Sequence, residues 1–160
     1  MTWSLLGSLH VSLAIAGLGS GLVVALLRKG TTWHRRAGWV YVASMVGVNV
    51  SALLIYRLLG TFGPFHGAAL FSLITIAAGM IPVRRRADRG WLFRHAYWMA
   101  GSYVGLWAAA VAETTTRARL VPFWWMVVLS TVVVLVIGAA IIARTVPGAI
   151  ERMGRRRPAA

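Results

Sequence analysis

From residue 5 to 27 the chain reads LLGSLHVSLAIAGLGSGLVVALL, and from Arg28 to Arg36 it continues RKGTTWHRR. The first stretch carries no charge and, at 1.5 Å of rise per helical residue, is long enough to cross a hydrocarbon layer of about 30 Å. The second gathers four bases and a histidine into a short hydrophilic turn. This alternation recurs along the chain. Further apolar runs lie at residues 37–59, 65–83, 96–112 and 121–143, each separated from the next by a brief connection. The pattern predicts an all-α integral membrane protein, an up-down bundle of five transmembrane helices.

The whole chain of 160 residues is read as one membrane domain. With 59% hydrophobic and only 12% charged residues, no stretch is polar and long enough for a separate soluble domain. A net charge of +14 would suggest nucleic acid in a soluble protein. Here the bases sit at span ends, so the expected partner is the lipid bilayer and not nucleic acid. The connection 28–36 carries four bases, 84–94 carries five, and the tail 144–160 five more. The opposite side receives Arg57, Arg117 and Arg119. Because bases near span ends resist translocation, this asymmetry places the N-terminus outside and the basic tail in the cytoplasm. Compact loops and arginine-rich ends suit the bacterial inner membrane.

Met1-Thr2-Trp3-Ser4 lacks the basic leader of a secretory signal, so the first run is expected to remain as a helix. With no cysteine, disulfides, cysteine-ligated zinc, iron–sulfur clusters and covalently attached haem are excluded. Pro64 and Pro122 are placed to open the third and fifth helices, where a missing N–H costs nothing. Trp3, Trp33, Trp39, Trp91, Trp124 and Trp125 fall near predicted ends, as interfacial indoles do, while Trp98 and Trp107 lie deeper. On the first span His10, Ala14, Gly17 and Gly21 form a small-residue stripe. The fifth span is expected to face lipid over much of its circumference.

The four histidines divide by side. His10 and His66 lie toward the outside, His34 and His95 toward the inside, and each pair comes from two helices that run in the same direction. Two imidazoles at one level across a bundle are what a six-coordinate haem b requires. Arg35, Arg36 and Arg94 flank the inner histidines and suit the carboxylates of haem propionates, although topology alone also demands them. Glu113 lies 18 residues after His95, hence on the same helix face. It can orient an outer imidazole, pass protons, or simply end the helix in water near Arg117.

Each histidine has a plainer reading beside ligation. For His34 and His95 it is an interfacial imidazole bonded to a carbonyl or a lipid phosphate; for His10 and His66 it is a hydrogen bond between helices. Asn49, Ser51, Ser72, Thr75, Ser102 and Tyr103 can bond across helices too, and Met45, Met80 and Met99 are axial-ligand candidates or core filler. No Ser/His/Asp set, carboxylate pair, glycine-rich phosphate loop or metalloprotease motif supports hydrolysis or phosphoryl transfer.

The segments His34-Arg35-Arg36-Ala37-Gly38-Trp39-Val40-Tyr41, Phe65-His66-Gly67-Ala68-Ala69-Leu70 and Arg94-His95-Ala96-Tyr97-Trp98-Met99, with Ser102-Tyr103, carry a resemblance. Over roughly residues 33–113 the chain resembles an uncharacterised family of small bacterial predicted membrane proteins, a domain of unknown function. The resemblance implies that His34, Gly38, His66, His95, Met99, Ser102 and Tyr103 match recurring motif positions, and it implies no reaction. The histidine distribution is more distantly similar to two-haem membrane b-type cytochromes, whose histidines lie deeper in their helices than His34 and His95.

Three functional expectations follow. The first is transmembrane electron transfer through haem b, with His10/His66 and His34/His95 as iron ligands. The second is a non-catalytic assembly subunit of a larger membrane complex, or a homo-oligomer, packed through the Gly17/Gly21 stripe. The third is a proton-coupled small-solute transporter centred on Glu113 and the outer histidines, although the broken helices and inverted repeats common in transporters are not apparent.

Overall fold

A computed structural model describes residues 4–56, 60–86, 88, 90–117 and 122–154. Among these the chain forms five helices and no strand: α1 Leu5–Leu26, α2 Thr32–Leu54, α3 Pro64–Arg85, α4 Trp91–Arg117 and α5 Phe123–Gly154. Four of them, α1, α2, α3 and α5, are long and apolar enough to cross a membrane. In α4 the predicted span is diluted by Tyr97, Gly101, Ser102, Tyr103 and Gly105, and that helix falls short of the same measure.

Helix ends follow local chemistry and not the edges of the apolar runs. Helix α2 starts five residues before the apolar stretch, because the Thr31 side chain accepts the His34 backbone N–H. The Trp33-His34-Arg35-Arg36 segment, expected as a loop, is therefore the first turn of α2. That helix stops at Leu54, where Ile55 turns to extended backbone and its N–H bonds back to the Ala52 carbonyl. Gly60 then adopts φ +67°, a conformation that side-chain-bearing residues avoid. Pro64 opens α3 as expected. Pro122 stands just before α5, its carbonyl accepting the N–H groups of Trp125 and Met126. Helix α5 continues through Pro147 to Gly154, so the first part of the basic tail is helical. Arg57, Arg119 and Trp3 lie outside the described residues.

Two compact units divide the chain, residues 1–77 and 78–160, with α3 contributing to both. In the first, α1 lies antiparallel on α2: His10 meets Ser51, and a Cβ added to Gly47 would lie 2.9 Å from a Leu13 methyl. Helix α3 runs antiparallel to α2, since Asn49 bonds Ser72 while the Tyr56 ring meets that of His66. Helix α2 is thus the centre of this unit, and Tyr41, Val42, Met45 and Val48 are buried along it. Gly17 and Gly21, the stripe on α1, are also buried within the chain.

In the second unit α4 packs along α5 and against the end of α3. A Cβ on Gly138 would overlap both methyls of Val104, and one on Gly79 would sit 2.7 Å from the Met99 sulfur. These glycines set how closely the helices approach. Gly138 is the one buried residue among the described side chains of α5, while Trp124, Trp125, Val132, Val133, Val136 and Ile141 are exposed. An apolar helix so bare in water is expected to be covered by lipid.

Candidate functional site

His10 sits on α1, less than two turns from its start, and its Nδ1 lies 2.8 Å from Ser51 Oγ on α2. Ser51 has one hydroxyl proton, and its oxygen lies 2.8 Å from the Gly47 carbonyl and 2.9 Å from that of Val48. A carbonyl can only accept, so the serine proton goes there, and His10 Nδ1–H donates to Ser51 Oγ. The second ring nitrogen, Nε2, is left with its lone pair.

His66 has the opposite arrangement. Gly63 is the N-cap of α3, Pro64 its first residue, and His66 occupies the third helical position. There its Nδ1 accepts the Gly63 backbone N–H at 3.2 Å, while the Gly63 carbonyl accepts the His66 N–H at 2.9 Å. The first bond is the half of a capping box in which the third helical side chain reaches back to the N-cap N–H, with imidazole in place of carboxylate. A neutral ring whose Nδ1 accepts must carry its proton on Nε2. That atom is buried without a hydrogen-bond partner among the described residues, in a side chain only 5% exposed. An unmade hydrogen bond at such a donor costs about 1–3 kcal/mol. The rings of Tyr56 and Phe62 lie against the imidazole, centroids 4.6 and 5.1 Å away.

Because their partners are Ser51 near the end of α2 and Tyr56 just beyond it, five positions apart, His10 and His66 occupy the same end of the first unit. Asn49 Nδ2 donates to Ser72 Oγ at 2.9 Å and to the Met45 carbonyl at 2.8 Å, one of the cross-helix bonds expected from the sequence.

The other two histidines belong to different units. His34 is half-buried in the first turn of α2, beside exposed Arg35 and Arg36, and the Arg36 guanidinium lies 5.6 Å from the centre of the Trp33 ring. His95 lies on the second turn of α4, and its Nδ1–H donates to the Gly79 carbonyl of α3 at 2.9 Å. Its Nε2 therefore also keeps a lone pair. Arg94 points instead to Asp88 in the preceding loop, 2.7 Å away. That hydrogen bond, helped by the Gly90 N–H, holds the exposed Asp88 carboxyl below its usual range. Glu113 is half-buried near the end of α4, its backbone carbonyl accepting the Thr116 hydroxyl. Lys29, beyond α1, donates to the carbonyls of Val24 and Ala25 at 2.6 and 2.7 Å, and desolvation lowers its pKa from the ordinary 10.5.

Sequence reasoning missed Ser51 as the group that sets the His10 tautomer, because that contact joins residues 41 positions apart. It also missed Gly63, because glycine followed three residues later by histidine lacks the side-chain acceptor that marks a capping box. Among the described residues, no group of three or more His, Asp or Glu is placed to hold a metal ion.

No curated protein and no solved structure matches the chain. A family model described as predicted membrane protein (DUF2306) matches residues 7–150, nearly the whole sequence and every described helix. The chain is a member of that membrane protein family, whose function is unknown.

Proposed function

We propose that this protein crosses a bacterial inner membrane five times, N-terminus outside and C-terminus in the cytoplasm, and transfers electrons through haem b held by histidines. One observation carries the redox reading. In His10 and His95 the Nδ1–H is fixed on a neighbouring helix, by Ser51 Oγ and the Gly79 carbonyl, and Nε2 keeps its lone pair. Metal-ligating imidazoles have this form, with one nitrogen anchored by an outer partner and the other available to the metal. His66 does not fit the ligand role: its Nδ1 accepts from Gly63, so its Nε2 offers a proton. His10 in the first unit and His95 in the second would each offer one imidazole to a separate haem, and the group would supply a one-electron centre. The chain itself orients the rings, through Ser51 Oγ and the Gly79 carbonyl.

Charge distribution supports the orientation, since the bases of 28–36, 84–94 and the tail fall in alternate connections. In the assembly reading the Gly17/Gly21 stripe would meet a partner, but both glycines are already buried within the chain. The proton-coupled transporter reading keeps Glu113, half-buried near the end of α4.

Optical spectra of the protein purified from haem-replete cells, oxidised and then reduced with dithionite, test the electron-transfer reading. A Soret band that shifts on reduction is expected, weakened by His10→Ala or His95→Ala and retained in His66→Gln. A colourless preparation refutes it.

A further inference from the structure

We propose that His66 is the hydrogen-bond donor of a binding site for the carbonyl oxygen of a flat, lipophilic molecule of the quinone class, framed by the rings of Tyr56 and Phe62. The site does not depend on the haem reading. It adds an organic ligand to a residue that sequence reasoning treats as an iron ligand.

Three observations converge on this chemistry. The Gly63 N–H fixes the ring so that the proton sits on Nε2, and that N–H is buried with no acceptor among the described residues. A proton-bearing nitrogen has no lone pair for a metal and calls for an oxygen acceptor. Being neutral, it favours an uncharged carbonyl over an anion, which would bring a charge into an apolar layer uncompensated.

Two aromatic rings already lie against the imidazole, tilted from it by 36° and 31°. Planar π-systems stack in such offset or tilted arrangements, and a ligand ring can take up the same contacts. The surroundings also differ in exposure. The imidazole is 5% exposed and tied into the first turn of α3, whereas Tyr56 and Phe62 are 47% and 56% exposed. The donor is the buried element and the two exposed rings lie over it. Because His66 lies at the start of a helix apolar enough to span the membrane, a ligand can reach it from the bilayer with its tail left among the acyl chains.

The test uses the full-length protein in lipid nanodiscs, titrated with the short-chain quinone 2,3-dimethoxy-5-methyl-1,4-benzoquinone. Binding is followed by tyrosine and tryptophan fluorescence, and the quinone carbonyl stretch by infrared difference spectroscopy. Saturable quenching and a carbonyl stretch moved to lower frequency are expected. His66→Phe keeps a ring and removes the donor. It should weaken binding about tenfold, the factor that corresponds to ~1.4 kcal/mol, and return the stretch to its unbound frequency. His66→Gln, which keeps an N–H donor and an acceptor for Gly63, should retain both signals.

Since His66→Phe also removes the helix cap, Phe62→Leu provides a second variant with the cap intact, and it too should weaken binding. Absence of saturable binding to the wild-type protein, or an unshifted carbonyl in the bound state, overturns the proposal. So does binding that His66→Phe and Phe62→Leu leave unchanged. A colourless protein that binds the quinone rejects the haem reading alone. A coloured one that does not bind rejects this proposal alone.

Discussion

Ser51 has a single hydroxyl proton and three neighbours within 2.9 Å, and the allocation of that proton decides the chemistry of His10. Replacing Ser51 by Ala removes the acceptor for His10 Nδ1–H. The expected cost is about 0.5–1.5 kcal/mol of stability, measured by unfolding in mixed micelles, because interhelical hydrogen bonds in membranes are individually modest. Nitrogen chemical shifts of the His10 ring should then report a mixture of the two neutral tautomers where the wild-type protein shows one. Unchanged shifts would remove the serine from the account.

Lys29 provides a prediction in pH. Its folded-state pKa is lowered by desolvation, so between that value and about 10.5 the unfolded chain binds more protons than the folded one. Stability contributed by this residue therefore rises as pH rises through that window and levels off above it. In Lys29→Met the alkaline rise should be smaller than in the wild-type protein, as denaturation midpoints measured across the window will show. An identical pH profile would contradict the assignment.

At the level of helices, small residues set the spacing. Gly138→Ala places a methyl against both Val104 methyls and should destabilise the α4–α5 contact by about 1–3 kcal/mol. Val104→Ala in the same background should recover part of that loss, a coupling that a double-mutant cycle reads directly. Gly79→Val should displace Met99 and with it the α4 turn that carries His95.

Helix existence and order were legible in the sequence because long uncharged runs and their basic punctuation admit few alternatives. The boundaries were not, since α2 begins where Thr31 caps it and α5 runs on past Pro147. Hydropathy does not register either event. The histidines were legible as polar intruders in apolar helices. Their tautomers depend on Ser51, Gly63 and Gly79, and only Gly63 is near its partner in sequence.

For the molecule as a whole, the absence of cysteine makes its orientation straightforward to measure. A lone cysteine at Ser4 should react with a membrane-impermeant maleimide in intact cells, and one at Thr145 only after permeabilisation. The reverse pattern would invert the proposed topology. The second unit offers a further expectation, because between Val132 and Ala143 α5 presents one notch, Gly138, to its neighbour and otherwise a hydrocarbon surface. Most of that helix is specified by oiliness alone. Exchanges among Val, Leu and Ile along its length should pass unnoticed, whereas adding a single residue N-terminal to the notch would turn it by about 100° and leave the helix with nowhere to seat.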